Sequence, residues 1–265
     1  MNIYRHEIRV NLLTSFLWIC AICGISMILM LFYPMIKADM DEYLVFLDNF
    51  PPAVKALMGI VTENFSSPLG YYGFAFTYTL LFGAIQAMNL GVGILSKEER
   101  EKTADFLMTK PVTRLEILTA KLAASFTILA VTNACYVPLM YLMLTGYADG
   151  EFETKTFLLI SFSLFFSQAV FFFIGLAVST VLKKVRAVLP VSLGMVFMFF
   201  AISAFAVTSK DDRLRFVTPF QYFKADYILA EKHYEMEYVV MGVAVIMVGI
   251  ALSYFRYSRK DIQAV

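Results

Sequence analysis

Cys20-Ala-Ile-Cys23 has the spacing of redox and zinc sites, but it falls inside a long apolar run. The chain has only two histidines, His6 and His233, to complete a metal shell. The cysteines therefore read as small apolar packing residues. His233, flanked by Glu231 and Glu235, carries metal-ligand types in a polar loop, where a histidine is ordinarily just solvated. No H-E-x-x-H, G-x-S-x-G or G-x-x-x-x-G-K-[ST] occurs, so neither hydrolase machinery nor a phosphate-cradling loop is visible. No catalytic residue, metal site or cofactor site is expected on this chain. If it does driven work, the energy enters from another subunit.

Two further groups of residues carry information. The first is uncharged and polar within apolar runs: Gln86, Asn89, Asn133, Ser161, Ser163, Ser167 and Gln168. Such groups either line a path or hydrogen-bond between helices, and packing is the commoner use. Gln86, Asn89, Asn133 and Gln168 are the candidate path residues. The second group is the charged stretch 96–121, SKEEREKTADFLMTKPVTRLEILTAK, between two apolar segments. It has two capping-box patterns, Ser96-Lys97-Glu98-Glu99 and Thr113-Arg114-Leu115-Glu116, each predicting a helix start. Pro111 between them would stop a helix arriving from Glu98. The expected order is span, short interfacial helix, break, next span, which suits docking of a partner as well as a solvated loop.

These residues sit in a chain that is 60% hydrophobic and 16% charged, with mean hydropathy +0.70. A soluble domain has about 25% charged residues. The fold class expected is an all-α integral membrane protein, one transmembrane domain over 1–265. The polar segments, at most about 30 residues, are too short for an independent core. Crossing a bilayer takes about 20 apolar helical residues, and six charge-free windows approach that. They place spans at about 12–34, 70–95, 116–144, 157–182, 187–208 and 238–255. The coupling loop is 96–115, and the outer loops are 37–68 and 209–237. Residues 1–9, MNIYRHEIR, predict a short amphipathic surface helix or a disordered basic start. The first apolar run is too long for a signal-peptide core and no A-x-A site follows it.

Loop charges set the orientation. With both termini and the loops 96–121 and 183–186 on one side, that side holds 14 basic and seven acidic residues; the other holds eight and 14. The basic side is expected to be cytoplasmic, N-in and C-in. In the first outer loop, Tyr43, Phe46, Leu47 and Phe50 predict a short amphipathic helix ended by Pro51-Pro52. In the last, Phe216, Pro219, Phe220, Tyr222, Phe223 and Tyr227 predict interfacial or re-entrant helices, or surface packing on the bundle. No ionisable residue lies deep in a window, which argues against an ion-coupled transporter or proton pump. The net charge of +1 gives no reason to expect nucleic acid as a partner.

The run Glu98-Glu99-Arg100-Glu101-Lys102-Thr103-Ala104-Asp105-Phe106-Leu107, then Lys110-Pro111-Val112-Thr113-Arg114, Glu116-Ile117 and Lys121, resembles the cytoplasmic loop of permease subunits of type-2 ATP-binding-cassette (ABC) exporters. That family pattern is an acidic cluster, Gly-Thr, an acidic-Leu-Leu segment, Pro-Val-Ser/Thr-Arg, and a Lys about seven residues on. Lys102 stands where many members have Gly. The motif covers about 25 residues; the six-span layout extends the likeness over the chain.

The resemblance implies a permease paired with a second permease, identical or homologous, carrying two cytosolic ABC ATPases that bind ATP and magnesium. It implies that a coupling helix between spans 2 and 3 enters a cleft of the ATPase. Glu98, Glu99, Arg100, Glu101, Thr103, Phe106, Leu107, Pro111 and Arg114 would form that contact, with a smaller one from Lys183, Lys184 and Arg186. Negative charge suits the first turns of such a helix, and an apolar anchor suits its docking. The apolar, aromatic spans fit an amphipathic or hydrophobic cargo such as a peptide, antibiotic or lipid, in a multi-pass plasma-membrane protein of bacterial look. The alternatives are an ATPase-coupled scaffold or sensor that moves no substrate, and an intramembrane enzyme, against which the missing motifs argue.

Overall fold

The computed structural model describes residues 3–60, 65–101, 113–147, 152–182, 187–209 and 211–259. These residues are helical throughout, with no strand among them. In order they form α1 (Ile3–Leu31), α2 (Tyr33–Ala38), α3 (Met40–Asp48), α4 (Pro52–Met58), α5 (Pro68–Glu101), α6 (Arg114–Tyr147), α7 (Thr154–Val181), α8 (Val188–Ser209), α9 (Asp212–Arg215), a 3-10 turn (Pro219–Gln221), α10 (Ala225–Glu231) and α11 (Met236–Arg259). Six helical stretches are long and apolar enough to cross a membrane: Ile3–Ala38, Pro68–Ile94, Leu115–Tyr147, Thr154–Val181, Val188–Ser209 and Met236–Arg256.

Helices α5 and α7 form the centre. Two thirds (67%) of the apolar window of each is buried, against 17–39% for the other four. Lipid is as apolar as leucine, so helices in a membrane associate through close packing and hydrogen bonds. Glycine supplies the closeness here. A Cβ at Gly91 would run into the Phe172 carbonyl oxygen, and one at Gly175 would lie 2.7 Å from the Met88 carbonyl oxygen. The two backbones therefore touch where α5 crosses α7. Gly249 lets α11 close on Phe173 in the same way, its Cβ position 2.7 Å from the Phe173 Cβ. Rings fill the remaining space on α7, with Phe126, Phe172 and Phe173 in mutual contact and Phe171 4.9 Å from Phe220.

Three local expectations are revised. The Ser96 box does not start a helix, because α5 runs unbroken to Glu101. Residues 96–101 include no glycine or proline, and continuing an existing helix adds a hydrogen bond per residue without a new nucleus. The N-terminal segment is not a separate surface helix, since Ile3 to Leu31 is one helix. It is held to the bundle by Tyr4 Oη, 3.0 Å from Thr127 Oγ1. The first outer loop is helical as expected, but its face is rotated. Leu47 is buried and Tyr43 and Leu44 half-buried, whereas Phe46 is 58% exposed. Pro51-Pro52 ends that helix and Pro52 opens the next, at the position where a missing N–H costs nothing. The Thr113 box is present as read. Thr113 N–H donates to Glu116 Oε2 (2.8 Å), and Glu116 N–H to Thr113 Oγ1 (3.3 Å).

The described ends of the chain lie at the same end of the bundle. Tyr4 meets Thr127, and Tyr254 Oη is 2.8 Å from Thr119 Oγ1. The last outer loop covers the far end. Thr218, Phe220, Gln221, Tyr222 and Phe223 are all buried, so the aromatic segment packs onto the bundle.

Candidate functional site

Of the four candidate path residues, three come together. Gln168 on α7 donates through Nε2 to Gln86 Oε1 on α5 (3.0 Å), and Asn133 on α6 donates to Gln168 Oε1 (2.6 Å). Gln86 Nε2 then donates to Thr132 Oγ1 (2.9 Å). All three side chains are buried, and each amide proton used meets an acceptor, as burial in a dry interior requires. A second layer lies toward the far end. Tyr72 Oη is 3.0 Å from Tyr136 Oη and 2.8 Å from Ser161 Oγ, and Ser26 Oγ is 2.6 Å from Thr79 Oγ1. These two layers pin α1, α5, α6 and α7 in register. The arrangement ties these helices together, and the Asn133 Oδ1 and Ser167 Oγ atoms are left without partners.

Asn89 stands apart from this network. It is half-buried, its Oδ1 has no partner, and with Gln86 it lines a cavity of about 270 Å³ near the terminal end. Glu7, Asn11, Ser15 and Trp18 from α1 and Ser125 from α6 complete the polar wall, and Val188 closes it from α8. A pocket of this kind, with amides, hydroxyls and one carboxylate against an indole, can hold a polar or amphipathic group by hydrogen bonds.

Sequence reasoning missed the junction beside this cavity. Lys121 is 2% exposed, donates to the Ile94 carbonyl oxygen (3.1 Å) and lies 3.4 Å from Glu7 Oε1. Three helices meet at this one ammonium: α1 through Glu7, α5 through Ile94, and α6 through Lys121 itself. Accepting the Lys121 proton also occupies a carbonyl near the end of α5. Lys121 lies close to the start of the expected span 116–144 and Glu7 just before the span 12–34, so neither was read as deep in the membrane. The available signal was Lys121 among Leu118, Leu122 and Ala124, a lone cation on an otherwise apolar turn.

The expected coupling residues divide into two sets. Glu98, Glu99, Arg100 and Glu101 belong to the last turns of α5, and Arg114 opens α6. Thr103, Phe106, Leu107, Pro111, Lys183, Lys184 and Arg186 lie outside the described residues, as does the expected coupling helix beyond Glu101. Its flanks emerge at the terminal end, α5 just past Ile94 and α6 just before Lys121.

At the far end, Arg215, Lys232 and Glu153 are in ordinary structural use. Arg215 pairs with Glu235 (2.6 Å) and lies 4.2 Å from the centre of the Tyr238 ring. Lys232 ends α10 in the left-handed conformation (φ 59°) and reaches Glu153 Oε2 at 2.7 Å. That bond holds the Glu153 carboxyl below its usual range. His233 is exposed, its ring beside Tyr227, and no cluster of three metal-ligating side chains occurs among the described residues. Cys20, Cys23 and Cys135 are free thiols on the spans.

Six crossing-length helices, four of them walling a polar cavity at one end, mark a multi-pass membrane protein. The family model described as "ABC-2 family transporter protein" matches residues 1–262. The chain belongs to that family, whose members are the membrane components of ABC transporters and not the ATPases themselves. No curated protein sequence matches the chain.

Proposed function

We propose that this chain is the permease of an ATP-driven exporter, paired with a second permease and carrying two cytosolic ABC ATPases that bind ATP and magnesium. Family membership supports the transport role. The observation that carries the coupling is the Lys121 junction. The segment expected to contact the ATPase leaves from α5 and returns to α6, and the junction ties both to α1 beside the cavity. Motion imposed on 98–114 is thereby passed to three helices that wall the cavity. The basic bias of the terminal end supports its cytoplasmic placement.

The cargo is amphipathic or hydrophobic, a peptide, antibiotic or lipid. Two openings favour it. The polar cavity carries one carboxylate balanced by Lys121, and a groove of about 630 Å³ between α7, α8 and α11 is lined only by apolar side chains and Gly249. A bundle with such a cavity fits transport better than a scaffold role.

The test is to purify the tagged chain from its native membrane and assay ATPase in the eluate. A stoichiometric ATPase is expected. Glu99→Ala and Phe106→Ala should reduce ATP-dependent export at least tenfold while leaving the fold and membrane level unchanged. Full transport in both variants would remove 98–114 as the coupling element.

A further inference from the structure

The far end holds a second cavity, of about 150 Å³, which the transport reading does not use. It is roofed from two separate loops. Lys55 and Gly59 come from the first, and Gln221, Lys224 and Asp226 from the last, over a floor of Phe76, Phe200 and Val207. Gly59 holds the roof down through a left-handed φ of 69°, its Cβ position 2.5 Å from Thr77 Oγ1, so no larger residue fits there.

The polar groups are unusual for a structural joint. Gln221 is 7% exposed; its Nε2 donates to Ser203 Oγ at 2.6 Å, but its Oε1 is buried without a partner. A buried acceptor left unmade costs about 1–3 kcal/mol, so such atoms ordinarily face a donor. Lys224 is half-buried and no carboxylate among the described residues lies within ion-pairing distance of it. Burial, and then Arg215, push its ammonium below the usual range. Lys55 brings a second ammonium from the opposite loop, with Asp48 3.0 Å away on its outer side. Val207, where the cavity meets α8, is 43% exposed, next to Phe205 at 63%. In a membrane-spanning helix those side chains meet acyl chains. The cavity thus has two lysines, Asp226 and the Gln221 amide at one edge and the exposed apolar face of α8 at the other.

We propose that this cavity binds the headgroup of an anionic glycerophospholipid. The phosphate lies between Lys55 and Lys224, a headgroup hydroxyl bonds the Gln221 amide once that side chain turns toward it, and the acyl chains run along α8 past Val207. Asp48 and Asp226 temper the positive charge, so a bare anion is held less well than a phosphate ester that also presents a hydroxyl. The site relies on α8 facing lipid and is independent of the cargo and of the ATPase.

The test is native mass spectrometry of the full chain in mild detergent, titrated with phosphatidylglycerol. Lys55→Gln/Lys224→Gln should weaken binding about tenfold or more, the effect of losing two charge-assisted hydrogen bonds. Lys155→Gln, an exposed lysine at the same end, should leave it unchanged. Gln221→Leu should cut the preference for phosphatidylglycerol over phosphatidic acid several-fold. Equal binding by the double variant and the parent overturns the site, as does an equal loss in Lys155→Gln. Displacement of the lipid by millimolar inorganic phosphate would assign the cavity to free anions and overturn the lipid. If the double variant does not fold, Lys224→Gln alone carries the comparison. Loss of lipid binding with export intact separates this site from the permease function.

Discussion

At the level of single residues, the buried charge at Lys121 is the most exposed to test. Removing one partner of a buried ion pair leaves the other charge uncompensated, whereas replacing both is often close to neutral. Lys121→Met strands the Glu7 carboxylate, whose side chain is only 14% exposed, and frees the Ile94 carbonyl. A loss of about 3 kcal/mol is expected in denaturant unfolding of the detergent-solubilised protein. Glu7→Gln/Lys121→Met should recover more than half of it; a single variant as stable as the parent would show that the pair carries nothing. The Glu153–Lys232 bond makes a pH prediction. Because the bond lowers the Glu153 pKa from its ordinary 4.5, it contributes stability above that value and loses it as pH falls through the folded-state value. Glu153→Gln should therefore melt below the parent at pH 7, with the difference fading in acid. Gln86, Asn133 and Gln168 were visible as polar letters in apolar runs. Their mutual bonding was not, because it depends on how three helices are rotated. Lys121 escaped notice for the converse reason. Its burial is decided by α1 arriving from far away in sequence, and its apolar neighbours on α6 were the one local sign of it.

Among the elements, what the sequence made legible was local and what it hid was the crossing geometry. The six long helices follow from apolar length, and the start of α6 from Thr113 and Glu116, because each signal and its effect lie within a few residues. The same pattern at Ser96 failed, since a capping box matters only where a helix must begin and α5 was already running. Phe46 failed in a related way: the period of α3 was right, but which side faces the bundle is settled by packing that the local sequence does not contain. The contact between α5 and α7 rests on Gly91 and Gly175, which carried no signal as glycines in an apolar run. It yields a sharp comparison. Gly91→Ala forces a methyl into the Phe172 carbonyl, so the helices must separate, at a cost of about 1–3 kcal/mol. Gly93→Ala, two residues further on, meets only Val188 Cγ1 at 3.9 Å and should be tolerated. Melting temperatures of the two variants decide it. Equal effects would mean that α5 and α7 do not approach as closely as described.

For the whole molecule, the question is which parts would move together under the proposed ATPase drive. The exposed apolar faces, with Leu13 and Phe16 on α1, Phe197 on α8 and Val240 on α11, suit lipid or the proposed second permease. The polar ties run inward. The Lys121 junction holds α1, α5 and α6 at the terminal end, and Ser26 with Thr79 holds α1 to α5 deeper in. Charge-assisted bonds that lack competing water are not readily exchanged during a tilt. The three helices should then rotate as one body over α8 and α11, opening the polar cavity without shearing it. Ser26 and Thr79 allow this to be checked, since hydroxyls 2.6 Å apart put a cysteine pair within bonding reach. In a background lacking Cys20, Cys23 and Cys135, the oxidised Ser26→Cys/Thr79→Cys protein should export at the parent rate, because the bond joins helices that already move as one. If export stops on oxidation and returns with reductant, α1 slides against α5 during the cycle. The Lys121 junction would then be a contact made in one state and broken in the other.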